Sequence, residues 1–164
     1  MHVVVDTPRG SRVKYKYDAA LGLFRVSRIL PQGMVFPFNF GFIPGTRGED
    51  GDELDMLLVM EEPLAVGIVV VAKVLGGIRG VQTQDGKSKR NDRFLGAPVT
   101  EVNPAEVRSL RDINRRVLTE VEHFFVSYNA QQGRRFKPVG SVSARAAMSL
   151  IDKARAPSAS ADRR

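Results

Sequence analysis

A short acidic segment near residue 50 holds the side chains best suited to chemistry. In Asp50-Gly51-Asp52-Glu53-Leu54-Asp55, three aspartates fall within six residues, directly before the apolar run Met56–Met60. Carboxylates held this close raise one another's pKa values unless cations neutralise them. Carboxylate oxygens suit Mg²⁺ or Mn²⁺, which keep waters that a phosphate group can displace. The segment therefore indicates a divalent cation site, with an ordinary solvated Asp-Gly turn as the alternative.

The backbone at Gly51 decides whether these carboxylates can converge. Simple strand alternation would place Asp55 on the opposite face from Asp50 and Asp52. A convergent site therefore requires the turn at Gly51 to break the alternation. An EF-hand loop fits poorly, because Leu54 stands at a ligand position and Asp55 at the position of the required glycine.

Composition limits the partners and the compartment. The net charge of +7 indicates an anionic partner, such as nucleic acid, an acidic surface or a phosphorylated small molecule. The chain has no cysteine and two histidines, which excludes thiolate metal sites and disfavours a histidine-rich zinc site. Apolar runs such as Ile68–Ala72 are too short to cross a bilayer, and the N-terminal residues lack a signal-peptide pattern. We therefore expect a cytoplasmic protein without a membrane partner.

Short β-prone runs separated by glycine-containing turns fill the first two-thirds of the chain. Such spacing predicts a small barrel or sandwich. The predicted strands are Val3–Asp6, Val13–Tyr17, Leu23–Arg28, Leu54–Met60, Ile68–Leu75 and Arg93–Val99.

The last third of the chain changes to a helical period. One predicted helix carries Val117, Leu118, Val121, Phe124, Phe125 and Tyr128, and Gly133 can end it. A second begins after Ser143 as N-cap, with Ala147, Leu150, Ile151 and Ala154 on its inner face. Asn103-Pro104 could begin a short helical turn between the strands and the helices. The sequence thus predicts an α+β fold, a β-barrel with C-terminal helices, in one domain over residues 1–155 followed by a disordered tail over 156–164.

The acidic segment and its surroundings resemble the soluble family I inorganic pyrophosphatases. Asp50–Met56 matches the family's signature string of aspartates and apolar residues. Other family features occur in the expected order: Lys14-Tyr15, Leu23-Phe24, Arg28 and Phe36–Pro44 upstream, and Glu62-Pro63-Leu64, Gly67, Asp85, His123-Phe124-Phe125 and Tyr128 downstream. The resemblance covers about Val3 to Ala154, nearly the whole chain.

The resemblance implies a five-stranded OB-type β-barrel whose mouth binds Mg²⁺, with Mn²⁺ as a substitute, and pyrophosphate. It also implies hydrolysis of pyrophosphate to two phosphates by a metal-activated water, in a homo-oligomer. The implied metal ligands are Asp6, Asp50, Asp55, Asp85 and Asp92. The implied catalytic residues are Asp52 as general base, Lys14, Arg28 and Tyr128, and the implied phosphate-binding residues are Lys14, Arg28, Arg93 and Tyr128.

The position of the last metal ligand depends on alignment. The family places an aspartate two residues before a lysine that aligns with Arg93, which would make the residue Asn91. A slip of one residue offers Asp92 instead, and we choose Asp92.

Several residues depart from the family pattern around the phosphate groups. Lys16 replaces a glutamate, Phe36 and Phe40 replace tyrosines, and Asn129 replaces a lysine. Each loss of a charged hydrogen bond typically costs about 1.5–3 kcal/mol. We therefore expect metal binding to be preserved and turnover to be reduced, unless basic residues compensate. The candidates for compensation are Lys87, Lys89, Arg90, Arg134 and Arg135.

Two other functions compete with hydrolysis. An impaired homologue could bind a phosphorylated ligand without turnover. An OB-fold module for single-stranded nucleic acid could use the alternating side chains Phe36, Phe38, Phe40 and Phe42 as a stacking platform. The aspartates of the acidic segment would repel a nucleic-acid backbone, so we expect no nucleic-acid partner. Packing alone would explain Tyr128 on the apolar helix face, and we expect His123 to be structural.

Overall fold

The computed structural model describes residues 1–99 and 107–155. Its strands are β1 (His2–Thr7), β2 (Val13–Asp18), β3 (Leu23–Ile29), β4 (Asn39–Ile43), β5 (Leu54–Leu58), β6 (Val69–Gln84), β7 (Lys87–Arg90), β8 (Arg93–Pro98) and β9 (Arg135–Ser143). Its helices are a short 3₁₀ turn (Leu110–Asp112), α1 (Arg115–Ala130) and α2 (Ala144–Lys153). The helical turn predicted at Asn103-Pro104 and the tail over 156–164 lie outside the described residues.

Five strands close into a ring. The order is β1-β4-β5-β8-β6, and β6 pairs again with β1. Neighbouring strands are antiparallel except for β5 and β8, which run parallel. A closed ring leaves no unpaired edge within the five strands. The α+β barrel with C-terminal helices is thus confirmed.

Strand β6 is long enough to form part of the ring and to extend beyond it. Its second half pairs with β7 on one side and β9 on the other. The register with β8 shifts between Val74 and Gly76, where the backbone adopts φ +149. A Cβ at Gly76 would lie 2.5 Å from the carbonyl oxygen of Val142, so only glycine fits the close approach of β9. The extension carries side chains over the barrel mouth.

Strand β5 is buried on both faces, as its continuous apolar sequence predicted. Met56 and Leu58 belong to a core cluster that includes Ala147 and Ile151 of α2. Leu57 points the other way, into a cluster that contains Phe125 of α1. The acidic segment therefore enters a rigid strand whose position is fixed by both helices.

The hairpin of β2 and β3 forms a separate two-stranded sheet beside the ring. Lys14 lies opposite Arg28, and Lys16 lies opposite Arg25. A register shift between Lys14 and Tyr15 alters the regular alternation of the strand. The hairpin thus gathers several cations on one small element.

The predicted strands are all present, while β4, β7 and β9 were not predicted. Pro37 and Gly41 interrupt the aromatic run that contains β4, and Pro138 interrupts β9. Glycine is needed within β4 because a Cβ at position 41 would lie 2.2 Å from the carbonyl oxygen of Val4 in β1. Ser143 caps α2 as predicted, since its side chain accepts from the Ala146 amide. Within the described residues, neither helix has the length and apolarity needed to span a bilayer.

Candidate active site

A cavity of about 360 Å³ opens where the barrel mouth meets the β2–β3 hairpin and the end of α1. Among the described residues, its charged lining is balanced between five acids and five bases. These are Asp6, Asp50, Asp52, Glu53 and Asp55, and Lys14, Lys16, Arg28, Arg93 and Arg134. The cavity therefore gathers most of the residues implied by the resemblance.

The turn at Gly51 brings the acidic segment into the cavity. Gly51 has φ +91, a left-handed conformation that glycine adopts without strain. The Gly51 amide donates to the Gly48 carbonyl at 3.1 Å, and the Gly48 amide donates to the Asp52 carbonyl at 2.8 Å. The strand begins only at Leu54, so Asp50 and Asp52 precede the regular alternation and can face the same cavity as Asp55.

Asp55 forms an ion pair with Arg93 across the parallel strands β5 and β8. The two residues are direct register partners. Arg93 is buried, its guanidinium lies 4.9 Å from the Phe125 ring centroid, and it also donates to the side chain of Asn91. Burial raises the pKa of Asp55 from 3.8 to about 6, although Arg93 opposes the rise. The ion pair with Arg93 therefore offsets only part of the free-energy cost of burying the negative charge of Asp55.

Asp6 and Lys14 form a second pair, between β1 and β2. Lys14 Nζ lies 2.6 Å from each carboxylate oxygen, and Thr7 Oγ1 donates to Asp6 Oδ1 at 2.6 Å. The ammonium also lies 4.2 Å from the Phe40 ring centroid, in cation–π geometry. Burial raises the pKa of Asp6 and lowers the pKa of Lys14. Both groups thus pay a desolvation cost that their mutual attraction offsets only in part.

Lys16 and Asp52 form a third pair at the exposed side of the cavity. The Lys16 ammonium lies 2.9 Å from Asp52 Oδ1. The side chains are 53% and 62% exposed, so water screens this interaction far more than the other two. Lys16, which replaces a glutamate of the family pattern, therefore contacts Asp52, the residue expected to act as general base.

Arg28 and Arg134 provide donors for an anion. Arg28 Nη1 and Arg134 Nε are buried, and neither has a hydrogen-bond partner among the described residues. Both residues line the cavity. Buried N–H groups are rarely left unpaired, and guanidinium groups pair well with phosphate oxygens. The guanidinium groups of Arg28 and Arg134 thus bring positive charge to the cavity, which suits an anionic ligand.

Tyr128 and Asn129 lie at the α1 side of the cavity. Tyr128 packs against Phe36 and Phe124, and the Arg28 guanidinium lies 5.5 Å from its ring centroid. Burial raises the pKa of Tyr128, so its hydroxyl remains a donor at neutral pH. Asn129 is buried and donates to the Phe125 carbonyl at 2.8 Å, which commits its amide to the helix.

The structure places Asn91, and not Asp92, on the wall of the main cavity. Asn91 Nδ2 donates to Gln82 at 3.0 Å, and both side chains line the cavity. Asp92 instead accepts from the Gly80 amide at 3.0 Å and pairs with Arg90 at 2.9 Å. Asp92 lines a neighbouring cavity of about 300 Å³. Asp92 shares that neighbouring cavity with Asp50, Asp55 and Asn91, so Asp92 stays a predicted ligand, but its contacts to Gly80 and Arg90 hold it away from the main cavity.

Asp85 occupies the tip of the β6–β7 hairpin. Its φ of +50 and the φ of +74 at Gly86 are typical of a tight two-residue hairpin turn. It lines a third cavity of about 350 Å³, which it shares with Asp50, Asp52 and Arg134. The structure thus brings Asp85 near part of the acidic segment but does not place it in the cavity that contains Asp6 and Asp55.

Gln82 is one of several lining residues that the sequence analysis missed. An amide in the middle of a strand carries no motif, and only the pairing of β6 with β7 brings Gln82 beside Asn91.

The lining residues suit a divalent cation in their chemistry. The available ligands are carboxylate and amide oxygens, as Mg²⁺ and Mn²⁺ prefer. The raised pKa values of Asp6 and Asp55 also favour a cation near them. Within the described ranges, however, no group of three or more His, Cys, Asp or Glu side chains converges closely enough to hold an ion. A divalent cation at Asp6, Asp52 or Asp55 would compete with the ammonium or guanidinium group that already contacts that carboxylate.

The fold and the cavity define a class of protein. A closed barrel whose mouth combines clustered aspartates with arginine side chains is suited to binding cations and a multiply charged phosphate anion together. The sequence profile described as inorganic pyrophosphatase matches residues 3–158. The chain belongs to the inorganic pyrophosphatase family.

Individual relatives support the same assignment. The inorganic pyrophosphatase of Thermus thermophilus is 33% identical over 156 residues, which cover 95% of this chain and 87% of the relative. That of Halalkalibacterium halodurans is 34% identical over 149 residues, or 91% of this chain and 89% of the relative. The crystal structure of an inorganic pyrophosphatase from Neisseria gonorrhoeae superposes with a TM-score of 0.84 at 33% identity, covering 94% of this chain and 88% of that one.

Proposed function

We propose that this chain hydrolyses inorganic pyrophosphate to two phosphates and depends on Mg²⁺, with Mn²⁺ as a substitute. The observation that carries the proposal is the cavity itself, which is lined by the aspartates of the acidic segment together with Arg28 and Arg134. The relatives are named for the same activity. Pyrophosphate is small and highly charged, and it suits a polar cavity of about 360 Å³.

Cations are held by the carboxylates in this proposal. Asp50, Asp55 and Asp85 would be the ligands, and Asp6 would contribute through water, as the family resemblance implies. Of the two residues 91 and 92, we propose that Asn91 faces the cations of the main cavity with a neutral oxygen, since Asp92 lines only the neighbouring cavity. When bound, the cations lower the pKa of the attacking water and neutralise charge on the substrate.

Asp52 takes the proton from the attacking water. A well-placed general base contributes about 10²–10⁴-fold to a rate. Lys14, Arg28 and Tyr128 donate to the phosphate oxygens and stabilise the charge that accumulates on the leaving group. Arg93 also lines the cavity, but its guanidinium already contacts Asp55 and Asn91, so we assign it mainly the positioning of Asp55.

Turnover is reduced relative to a site with the family's full set of groups. Lys16 pairs with the general base Asp52, and Phe40 offers a ring where a hydroxyl would contact phosphate. Asn129 cannot replace a lysine because its amide is bound to the helix backbone. Arg134 partly compensates, since it brings a charge to the same cavity.

The rival functions lack a supporting observation. Phe36, Phe38 and Phe40 are buried in the core, so they cannot offer stacking faces to nucleic-acid bases. An impaired homologue that only binds a phosphorylated ligand would share the cavity and differ in turnover alone. From the family resemblance we also propose a cytoplasmic homo-oligomer.

Phosphate release from pyrophosphate tests the proposal. We expect release with Mg²⁺, loss of release with EDTA, and a fall of about 10²–10⁴-fold in Asp52→Asn. Asp152→Asn, an exposed change on α2 outside the cavity, is the matched control and should leave the rate unchanged. The proposal fails if the wild-type chain releases no more phosphate than Asp52→Asn at any Mg²⁺ or Mn²⁺ concentration.

A further inference from the structure

The charge of the cavity is already balanced by the protein. Asp6 is paired with Lys14, Asp55 with Arg93 and Asp52 with Lys16. A cavity that binds divalent cations through carboxylates normally carries an excess of negative charge. Here the bases that line the cavity match the acids in number among the described residues. A cation that approaches Asp6, Asp52 or Asp55 therefore has to compete with a side chain.

The three pairs differ in how easily they open. The Lys14 and Arg93 cations are held in buried surroundings and rest on aromatic rings. Lys16 has one exposed contact, to Asp52, on the outer hairpin. A lysine ammonium on a flexible, solvated stem can leave a carboxylate at little cost. Lys16 is thus the cation most readily displaced from the cavity.

We propose that Lys16 is a built-in counter-ion of Asp52 that competes with divalent cations and so sets the concentration of Mg²⁺ or Mn²⁺ that the cavity requires. The inference rests on the proposed function only in that a divalent cation binds among these carboxylates. When such a cation binds beside Asp52, the Lys16 ammonium swings away into solvent. Even then its positive charge remains on the hairpin and weakens cation binding by repulsion.

Substitution at position 16 should therefore change the affinity for divalent cations more than it changes the rate of the chemical step. Lys16→Gln removes the competitor and should tighten Mn²⁺ binding about threefold to tenfold, because the pair is exposed and screened. Lys16→Glu adds a carboxylate at the same place and should tighten binding about ten- to a hundredfold. Lys16 is exposed, so neither change should affect folding.

Mn²⁺ binding, measured by electron paramagnetic resonance of the free ion and by calorimetry, tests the inference without any reaction. Lys73→Glu is the matched control, since it makes the same change in net charge at an exposed position outside the cavity. Arg25→Gln, on the strand opposite Lys16, controls for effects on the hairpin. Both controls should leave the Mn²⁺ affinity within about twofold of wild type.

The possible results separate this inference from the proposed function. Tighter binding in Lys16→Gln and tighter still in Lys16→Glu, with unchanged controls, supports the role of Lys16. Unchanged affinity in both variants, or an equal gain in Lys73→Glu, overturns it even if wild-type protein hydrolyses pyrophosphate. Absence of Mn²⁺ binding in every variant overturns it together with the metal-dependent mechanism.

Discussion

Lys14 Nζ lies 2.6 Å from both carboxylate oxygens of Asp6, and the two side chains are only 13% and 9% exposed. Removing one partner of such a pair leaves a buried charge without compensation. Lys14→Gln should therefore lower the free energy of unfolding by about 3 kcal/mol, as measured by urea denaturation. The double variant Asp6→Asn, Lys14→Gln should recover part of this loss. Strictly additive effects of the two changes would show that the pair contributes no coupling.

Stability of the metal-free protein should decrease between pH 4 and pH 6. The pKa of Asp55 is 3.8 ordinarily and about 6 in the folded state. Between these values the folded state binds more protons at Asp55 than the unfolded state, so the free energy of unfolding falls as the pH rises. The raised pKa of Asp6 acts in the same direction. Urea midpoints across this range in EDTA should show the fall, and added Mg²⁺ should diminish it.

Asp55→Asn is the control for the pH dependence. It removes the titrating group, so the fall in stability between pH 4 and pH 6 should become smaller. An identical pH profile in Asp55→Asn and wild type would contradict the assignment of the titration to this residue.

Arg28 should determine anion affinity. Its guanidinium lines the cavity, so a phosphate group there would gain a charge-assisted hydrogen bond. Arg28→Gln should weaken phosphate binding about ten- to a hundredfold in calorimetry with Mg²⁺ present. Arg25→Gln, on the same strand but paired with Asp18, should bind phosphate as wild type does. An equal loss of phosphate affinity in Arg28→Gln and Arg25→Gln would indicate only a general effect of net charge.

Positions 91 and 92 should respond in opposite ways. Asn91→Asp adds a carboxylate to the cavity wall and should tighten Mn²⁺ binding about tenfold. Asp92→Asn should leave Mn²⁺ affinity unchanged but lower the free energy of unfolding by about 1–2 kcal/mol, because the Gly80 amide and Arg90 lose a charged acceptor. Loss of Mn²⁺ binding in Asp92→Asn would show instead that Asp92 is a metal ligand.

A hydroxyl at position 40 should improve turnover. Phe40 lines the cavity beside Lys14, and a tyrosine would keep the cation–π contact while adding a donor toward phosphate. Phe40→Tyr should raise the rate of phosphate release about threefold to tenfold. Phe38→Tyr, in the core and outside the cavity lining, should give no gain. A folded Phe40→Tyr variant without a higher rate would show that the missing hydroxyl does not limit turnover.

The sequence alone was sufficient to predict those features that depend on residues close together in the chain. Gly51 permits the turn that gathers Asp50 and Asp52, the apolar run after Asp55 forms a buried strand, and Ser143 caps α2. Each of these depends on residues within a few positions, whose conformational preferences and periodicity can be deduced directly. The closed ring of five strands was predicted from the family resemblance.

Tertiary structure alone decided which charges meet. Lys16 and Asp52 are 36 positions apart, and Arg93 and Asp55 are 38 apart, so no local preference brings them together. The choice between Asn91 and Asp92 depends on how β8 enters its pairing with β5 and β6, because a shift of one residue reverses which side chain faces the cavity. The sequence therefore determined that carboxylates would cluster, and the register of distant strands determined that cations of the protein would accompany them.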